Sequence, residues 1–398
     1  MTMTGRDHYR HVVLTTPFHS RTSAANTLNL WHRWRDYTVS DAYFDVSLEY
    51  TALRNACAVF DLSPMTKHLI TGPDAAAYLD RLVTRDIRKI GPGRVGYCVW
   101  CDDAGQVIDD GTIFHLRQNV FRLCSQERQL DWLLAAALDH DVVIREETAE
   151  VAALALQGPT SCAVLKRLGL DGIEVLRPFA MRNYLFEGTQ LLVSRTGFTG
   201  DLGYELWITA EHAEHLWDRL FEAGQLHGIR PMGTHALELA RIEAGYIQAG
   251  TDFLPADRAI RTDRTRSPLE LDLAWLVDFS KPHFNGRRAL REERRRGSRY
   301  RLVRLDVEGN KPAKDAYVYD EGRNVIGAVT SSAWSPAAKA SIALASVRMP
   351  WGRPGDVLYA EIFYQKELKW SRSMARCRVV DGPFYAPDRR RATPAPDF

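Results

Sequence analysis

Two Gly-Pro pairs constrain the fold of this chain more than any other feature. Each one follows an apolar, strand-like run and precedes a run with helical spacing: Gly72-Pro73-Asp74 comes after 67–71, and Gly158-Pro159-Thr160 comes after 151–157. Glycine and proline interrupt regular structure, and an Asp or Thr can cap the helix that follows. The recurrence predicts two similar α+β units, although their sequence identity is too low to demonstrate a duplication.

Hydrophobic periodicity predicts the elements around these pairs. Apolar residues three and four apart indicate helices, whereas alternating apolar residues indicate strands. Residues 1–44 carry many aromatic side chains but few regular signals, so we expect an aromatic N-terminal arm packed on the body. The predicted helices are 49–59, 75–82, 129–139, 160–168 and 211–226, and the predicted strands are 67–71, 95–101, 107–116, 119–124, 151–157, 182–187, 190–195 and 203–208.

A strongly basic segment, 285–304, precedes a different pattern. It is interpreted either as a solvated helix face with a linker or as an electropositive rim for an anionic ligand tail. Beyond it, short alternating runs separated by Gly, Pro and Asp turns predict a small all-β domain over 298–386. Residues 387–398, which are rich in proline and arginine, predict a disordered tail.

The overall composition excludes several classes of function. A chain of 398 residues is expected to form two or three domains. The net charge, 52 − 50 = +2, gives no reason to expect a nucleic-acid partner, and no apolar run is long enough to span a membrane. The polar N-terminus and the six scattered cysteines predict a cytoplasmic protein with reduced thiols. The histidines form no ligand-spaced cluster with the cysteines, so no metal site is expected.

Cys98 and Cys101 have the spacing of a redox motif. They lie in a predicted strand, however, where residues three apart face opposite sides. A thioredoxin-like motif would instead lie at the start of a helix. The pair is therefore interpreted as two ordinary buried cysteines.

Three stretches can carry chemistry. The first is Gly105–Asp110, which ends in two adjacent aspartates; the others are Ser194–Leu206 and Ala240–Gly245. Adjacent strand residues face opposite sides, so one aspartate can enter a cavity while the other bonds backbone or solvent. A fixed carboxylate in a dry pocket can stabilise an attacking amine as it becomes cationic and can accept its proton. Its neighbours must keep it ionised, because burial raises the pKa of a carboxyl group.

In order and spacing, these stretches resemble the folate-dependent aminomethyltransferase family, typified by the T-protein of the glycine cleavage system. The resemblance implies an α+β, T-protein-like fold. Two related α+β units, about 45–147 and 148–290, would form a folate-binding body, and a small β-barrel would follow at 298–386. Further matching segments are Phe60–Ser63, Ser267–Trp275, Phe284–Leu290, Gly327–Pro336 and Ser341–Ala345.

The resemblance also implies roles for single residues. Asp110 would be catalytic and face the reactive nitrogens of tetrahydrofolate, Tyr97 would line the folate pocket, and Glu205 would grip the pterin ring. One carboxylate can accept from the flat two-donor edge that such a ring presents. Arg241 would contact folate, although a structural ion pair involving Arg241 and Glu243 fits the motif equally well.

Several departures from the T-protein pattern favour a different one-carbon donor. Leu237 replaces a folate-binding arginine of the T-protein, Pro64 stands within Ser63–Met65 where the T-protein has histidine, and the N-terminal region is longer and more aromatic. These changes make the chain resemble the branch of tetrahydrofolate-dependent demethylases, which act on small methylated molecules. Aromatic faces suit cationic or aryl methyl donors. The candidate donor-pocket residues are Tyr43, Trp31, Trp34, Trp100 and Trp334.

Three alternatives remain open at this level. One is a glycine-cleavage T-protein, whose partner would be a lipoyl carrier protein. Another is a non-enzymatic folate-binding protein, although the chain lacks the Lys-Gly-Cys-Tyr-x-Gly-Gln-Glu signature of such proteins. The last is a folate-binding scaffold attached to an oxidase; the chain carries no Gly-x-Gly-x-x-Gly dinucleotide fingerprint.

Overall fold

A computed structural model describes residues 13–321 and 323–394. The helices are α1 (His19–Ala25), α2 (Val46–Asn55), α3 (Ala75–Leu82), α4 (Leu130–Ala136), α5 (Ser161–Arg167), α6 (Ala213–Gly224), α7 (Thr234–Glu243) and α8 (Arg287–Arg296). The strands are β1 (Leu14–Thr15), β2 (Leu30–Trp34), β3 (Tyr37–Ala42), β4 (Cys57–Asp61), β5 (Thr66–Thr71), β6 (Arg94–Cys101), β7 (Val107–Arg117), β8 (Val120–Ser125), β9 (Val143–Glu146), β10 (Val151–Gln157), β11 (Met181–Phe186), β12 (Thr189–Ser194), β13 (Gly203–Thr209), β14 (Ile229–Pro231), β15 (Tyr300–Val307), β16 (Tyr317–Tyr319), β17 (Val325–Ser335), β18 (Ala340–Arg348), β19 (Val357–Lys366) and β20 (Lys369–Val380).

The first compact unit comprises the described residues of 1–67, 147–238 and 387–398. Its six-stranded sheet has the order β11-β12-β13-β10-β4-β14, and a smaller sheet has the order β1-β3-β2. β10 pairs antiparallel with both β13 and β4, so it lies in the interior of the sheet. Its leucines pack with side chains of α5 and α6 in one core. Burial of each large apolar side chain there contributes about 1.5–3 kcal/mol.

The second compact unit comprises 68–146 and 239–386, so the two units interleave along the chain. One part is a five-stranded sheet of order β6-β7-β8-β5-β9, and the other is a closed barrel of order β15-β18-β17-β16-β19-β20. The barrel encloses its own apolar core. The predicted α+β class and the small β-barrel are therefore confirmed. The domain boundaries at 44, 147, 290 and 298 stay predictions.

The glycine of each Gly-Pro pair is required for the same structural reason. Gly72 has a φ of +133°, and a Cβ there would lie 2.3 Å from the carbonyl oxygen of Asp141. Gly158 has a φ of +122°, and a Cβ would lie 2.5 Å from the carbonyl oxygen of Ala56. Each position requires glycine, because a side chain would be strained and would collide with backbone.

The residues that follow these pairs lie at N-cap positions, but their side chains do not cap the helices. Asp74 and Thr160 precede α3 and α5, but neither side chain bonds the first turn of its helix. The Asp74 carboxylate accepts instead from the backbone N–H of Asp141 at 2.9 Å, and the Thr160 hydroxyl donates to the carbonyl of His227 at 3.0 Å. Each side chain thus holds a neighbouring segment in place through a hydrogen bond to its backbone.

The predicted helix over 49–59 is wrong at its C-terminal end. α2 ends at Asn55, and Cys57–Asp61 form β4. All five residues of β4 are buried, and on one face Cys57 and Val59 pack in the same core as side chains of α5 and α6. Apolar residues that suit one face of a helix also suit a strand covered on both faces, so the pattern alone does not distinguish them.

The described parts of the two terminal segments are more regular than predicted. Residues 1–12 of the arm lie outside the described residues, and the rest forms β1 to β3 with α1. Arg21 of α1 donates to the carboxylate of Asp218 at 2.7 Å, and Phe18 packs on Trp217. The predicted disordered tail is wrong for 387–394, since Arg389 bonds both carboxylate oxygens of Asp201. Residues 395–398 lie outside the described part.

Candidate active site

Tyr97 and Asp110 come together on neighbouring strands of the second unit. In the antiparallel register, Val99 pairs with Asp110 and Tyr97 pairs with Thr112. Tyr97 and Asp110 are therefore diagonal neighbours on one face of the sheet. The Tyr97 hydroxyl donates to Oδ2 of Asp110 at 2.8 Å, and both side chains are half-buried. The carboxylate thus has a fixed donor and retains access to solvent.

Asp109 faces the other side of the same strand, as predicted for adjacent strand residues. It pairs with Trp100 and is fully buried. Its carboxylate accepts from the backbone N–H groups of Asp110 at 2.9 Å and Glu127 at 3.3 Å. Burial raises the pKa of Asp109 well above its ordinary value. Asp109 therefore fixes the local backbone, and Asp110 is the aspartate available for chemistry.

The pKa of Asp110 is set by opposing effects. The net pKa is about 6: burial raises it most, the hydrogen bond from Tyr97 lowers it, and the negative charge of Asp252 raises it. A carboxyl group with this pKa is ionised at neutral pH and can still accept a proton. The pKa of Tyr97 lies well above its ordinary value, mainly because of burial, so its hydroxyl keeps its proton and remains a donor.

Arg241 lies in a buried polar network of the second unit. Both Arg241 and Asp252 are buried, and their side chains form an ion pair at 2.7 Å. Arg241 also donates to the carbonyl of Tyr246 at 3.0 Å and to the Ser331 hydroxyl at 2.6 Å. Glu243 accepts from the Ser335 hydroxyl at 2.5 Å, and the predicted ion pair between Arg241 and Glu243 stays a prediction. The predicted folate contact of Arg241 stays a prediction.

Glu205 belongs to the first unit, where β13 places it next to Ser194 of β12. The carboxylate is 9% exposed and accepts from the hydroxyls of Thr196 at 2.6 Å and Ser194 at 3.4 Å. Burial raises the pKa of Glu205 to about 7, and the two hydroxyl bonds oppose that rise. Glu205 can therefore accept hydrogen bonds from a ligand most strongly above that pH.

Gln157 explains the glycines of the Glu205 stretch and was not singled out from sequence. A Cβ at Gly197 or Gly203 would lie 1.9 Å or 2.1 Å from Oε1 of Gln157. The same side chain donates to the carbonyls of Thr196 and Tyr204 at 3.2 Å and 3.3 Å. The glycines thus make room for the amide that holds together the loop before Glu205.

The candidate donor-pocket aromatics lie in different environments. Tyr43 is buried in the first unit, where Trp31 is half-buried against His19. In the second unit, Trp100 is buried and donates to Gln129 at 2.9 Å, whereas Trp334 is 42% exposed. Their assignment to a donor pocket stays a prediction. Trp34, the other aromatic of this set, lies against Phe60.

Trp275 is an aromatic residue that lies beside Tyr97. It is 66% exposed, and its ring centroid lies 6.2 Å from that of Tyr97. In the sequence, Trp275 stands out only as the last residue of the matching segment Ser267–Trp275. Its large exposed ring beside a half-buried carboxylate is the signal that could have selected it.

The redox interpretation of the cysteine pair is not supported. Cys98 and Cys101 are both buried and belong to two different apolar cores. Their interpretation as ordinary buried cysteines is confirmed. Among the described side chains, no three potential ligands converge on a metal position. None of the helices within 13–321 and 323–394 combines the length and the apolar character needed to cross a bilayer.

Family comparisons agree with this arrangement of domains. Residues 18–281 match the family model of the GCVT N-terminal domain, and 300–386 match that of the glycine cleavage T-protein C-terminal barrel domain. The chain belongs to the glycine cleavage T-protein family. This family transfers one-carbon units and uses tetrahydrofolate, so the recognition made from the motifs is confirmed at the family level.

The relatives within this family are named as two kinds of enzyme. An aminomethyltransferase from Halothermothrix orenii is 32% identical over 82% of this chain and 89% of its own length. One from Bacillus subtilis is 30% identical over 86% of this chain and 91% of its own length. A trimethylamine-oxide aldolase from Ruegeria pomeroyi is 36% identical over 86% of this chain, but over only 43% of its own length.

A solved structure shares the fold. It is the glycine cleavage system aminomethyltransferase T from Bartonella henselae, with a TM-score of 0.82 and 24% identity. The similarity covers 94% of this chain and 98% of the other. At this identity the likeness establishes the T-protein fold.

Proposed function

We propose that this protein demethylates a small methylated molecule and transfers the methyl group to N5 of tetrahydrofolate. The observation that carries the proposal is the Tyr97–Asp110 hydrogen bond, which opposes the effect of burial on the pKa of a half-buried carboxylate. Tetrahydrofolate would supply the nucleophilic nitrogen. Asp110 would stabilise the positive charge on that nitrogen and accept its proton.

The reaction balances without an added oxidant. The bond between the methyl carbon and the donor heteroatom breaks, and its electron pair stays on the heteroatom. A carbon–nitrogen bond forms in its place, and Asp110 takes the proton lost from nitrogen. A donor with a positively charged sulfur or nitrogen leaves as a neutral product, which makes such donors chemically favourable.

Each unit, taken by itself, carries a feature that suits a folate. Glu205 is a buried carboxylate that accepts hydrogen bonds from two hydroxyls, a setting that suits the N–H edge of a pterin. Trp275 presents an exposed aromatic face beside Tyr97 that suits stacking. Leu237, which is half-buried on α7, cannot supply the charged contact of the T-protein arginine. This difference supports a donor other than the T-protein substrate.

The second candidate is a glycine-cleavage aminomethyltransferase. It is favoured by relatives of that name that match across nearly their whole length, as in Halothermothrix orenii. In that case the product would be 5,10-methylenetetrahydrofolate, formed from an aminomethyl group on a lipoyl carrier protein with release of ammonia.

An anaerobic donor panel tests the two proposals. Purified protein would be incubated with tetrahydrofolate and sulfonium, betaine, N-methylamine, trimethylamine oxide or methoxyaryl compounds, with the lipoyl-bound aminomethyl group as comparison. 5-Methyltetrahydrofolate from one small donor, read by mass spectrometry, supports the demethylase. Methylene product from the lipoyl carrier alone supports the aminomethyltransferase. Folate binding without any product would overturn both.

A further inference from the structure

The loop 195–202, which joins β12 to β13, helps to orient the carboxylate of Glu205. Thr196 of this loop donates to that carboxylate at 2.6 Å. The loop also contains Gly197 and Gly200, and glycine restricts the backbone less than any other residue does. The position of Thr196, and with it the direction of the carboxylate, therefore depends on the contacts that hold the loop.

Residues 387–394, here called the C-terminal segment, contact this loop near its end. Arg389 binds both carboxylate oxygens of Asp201: its Nε donates to Oδ1 at 2.6 Å, and its Nη2 donates to Oδ2 at 3.0 Å. The Asp201 side chain is fully buried, and Arg54 approaches the same carboxylate at 3.4 Å. An arginine that binds a carboxylate through two parallel hydrogen bonds fixes its orientation as well as its distance.

The C-terminal segment also contacts the first residue of the loop. Arg195 is 5% exposed, and its guanidinium donates to two backbone carbonyls, that of Leu176 at 2.9 Å and that of Ala392 in the C-terminal segment. A buried guanidinium is costly unless its N–H groups have acceptors. The carbonyl of Ala392 therefore helps to keep Arg195 in place, and Thr196 is the next residue along the chain.

The two contacts hold the loop on both sides of its glycines. Arg195 precedes Gly197 and Asp201 follows Gly200, and all of these residues belong to the first unit together with the C-terminal segment. The segment begins directly after 300–386, the region that matches the family model of the barrel domain. Both contacts are therefore made by residues that the family match does not include.

We propose that the C-terminal segment positions Glu205 for tetrahydrofolate, and that Arg389 is a positioning residue which acts through the loop 195–202. The inference rests on the proposed function, in which Glu205 binds the pterin. With the loop held at both ends, Thr196 stays within hydrogen-bonding distance of the Glu205 carboxylate. A carboxylate that is already oriented binds its ligand more tightly, because less freedom is lost on binding.

Anaerobic fluorescence titration with tetrahydrofolate tests the proposal without a methyl donor. R389Q should raise the dissociation constant about tenfold, because a displaced carboxylate meets the pterin edge in poor geometry. R391Q, which removes an exposed arginine of the same segment, should leave the dissociation constant unchanged. R389K should give an intermediate value, because lysine restores the charge but not the two parallel hydrogen bonds.

A double-mutant cycle separates positioning from a general loss of stability. In the E205Q variant, adding R389Q should change the dissociation constant by less than about twofold, because the carboxylate through which Arg389 acts is already absent. The same loss of affinity in both backgrounds would show that Arg389 does not act through Glu205 and would overturn the proposal.

Denaturant unfolding establishes that each variant is folded at the temperature of the titration. R389K keeps a positive charge beside the buried Asp201 carboxylate, so it carries the same cycle if R389Q does not fold. Equal affinities of the unaltered protein and the Arg389 variant would overturn this inference alone. An unaltered protein that binds no tetrahydrofolate would overturn the proposed function and this inference with it.

Discussion

The Tyr97 hydroxyl donates a hydrogen bond of 2.8 Å to the carboxylate of Asp110 across two adjacent strands. This bond favours the ionised carboxylate, whereas burial and the charge of Asp252 favour the protonated form. The resulting pKa of about 6 places Asp110 where it is charged at neutral pH and basic enough to take a proton.

Asp110→Asn should lower kcat by about 10²-fold or more and leave the KM for tetrahydrofolate nearly unchanged. The amide keeps the size of the side chain but removes the charge and the proton acceptor. Steady-state kinetics with the identified donor gives both constants. Loss of tetrahydrofolate affinity with an unchanged kcat would assign Asp110 to binding instead.

Tyr97→Phe should shift the acid limb of the pH–rate profile upwards by about 1 pH unit. The tyrosine bond lowers the pKa of Asp110, so its removal raises that pKa above about 6 and activity is lost at a higher pH. Tyr319→Phe is the control, since its hydroxyl bonds Glu361 in the barrel. An acid limb that stays in place in Tyr97→Phe would show that another group controls it.

Tetrahydrofolate should bind more weakly as the pH falls through about 7, because the carboxylate of Glu205 is then protonated. The raised pKa means that the ionised form, which accepts hydrogen bonds, predominates only above that value. Fluorescence titrations from pH 5.5 to 8.5 would measure the dissociation constant. Glu205→Gln should bind tetrahydrofolate weakly at every pH. If this variant keeps the full pH dependence, Glu205 does not bind the folate.

Arg241→Met should reduce the free energy of unfolding by about 3–5 kcal/mol, because it leaves the Asp252 carboxylate buried without its ion-pair partner. Arg241→Met combined with Asp252→Leu should cost less than the sum of the single changes. Denaturant unfolding measures both. Glu292→Gln, in the exposed pair with Arg295, should leave the unfolding midpoint nearly unchanged. If the losses of unfolding free energy in the two single variants simply add in the double variant, the proposed coupling of Arg241 and Asp252 is wrong.

Much of the fold could be predicted from local pattern. The Gly-Pro pairs at 72 and 158 mark backbone conformations that only glycine adopts, and the alternating runs after residue 298 form the barrel. The C-terminal end of the predicted helix over 49–59 was misplaced, because β4 is buried on both faces and its apolar residues do not alternate. That burial depends on residues far away in sequence, such as those of α5 and α6 that share a core with Cys57 and Val59.

The site was predictable only in part. Strand alternation separates Asp109 from Asp110, and the spacing of Tyr97 and Asp110 around a turn permits their diagonal contact. The contribution of Asp252 was not predictable, since it depends on which side chains fold around Arg241. Gln157 was missed because its role depends on two glycines more than 35 residues away.

Transfer of a deuterated methyl group tests the central claim most directly. The donor identified by the panel would carry a CD₃ group, and the folate product would be analysed by mass spectrometry. Direct methyl transfer predicts 5-methyltetrahydrofolate that retains all three deuterons. A product that carries only two, as a methylene unit does, would contradict direct methyl transfer.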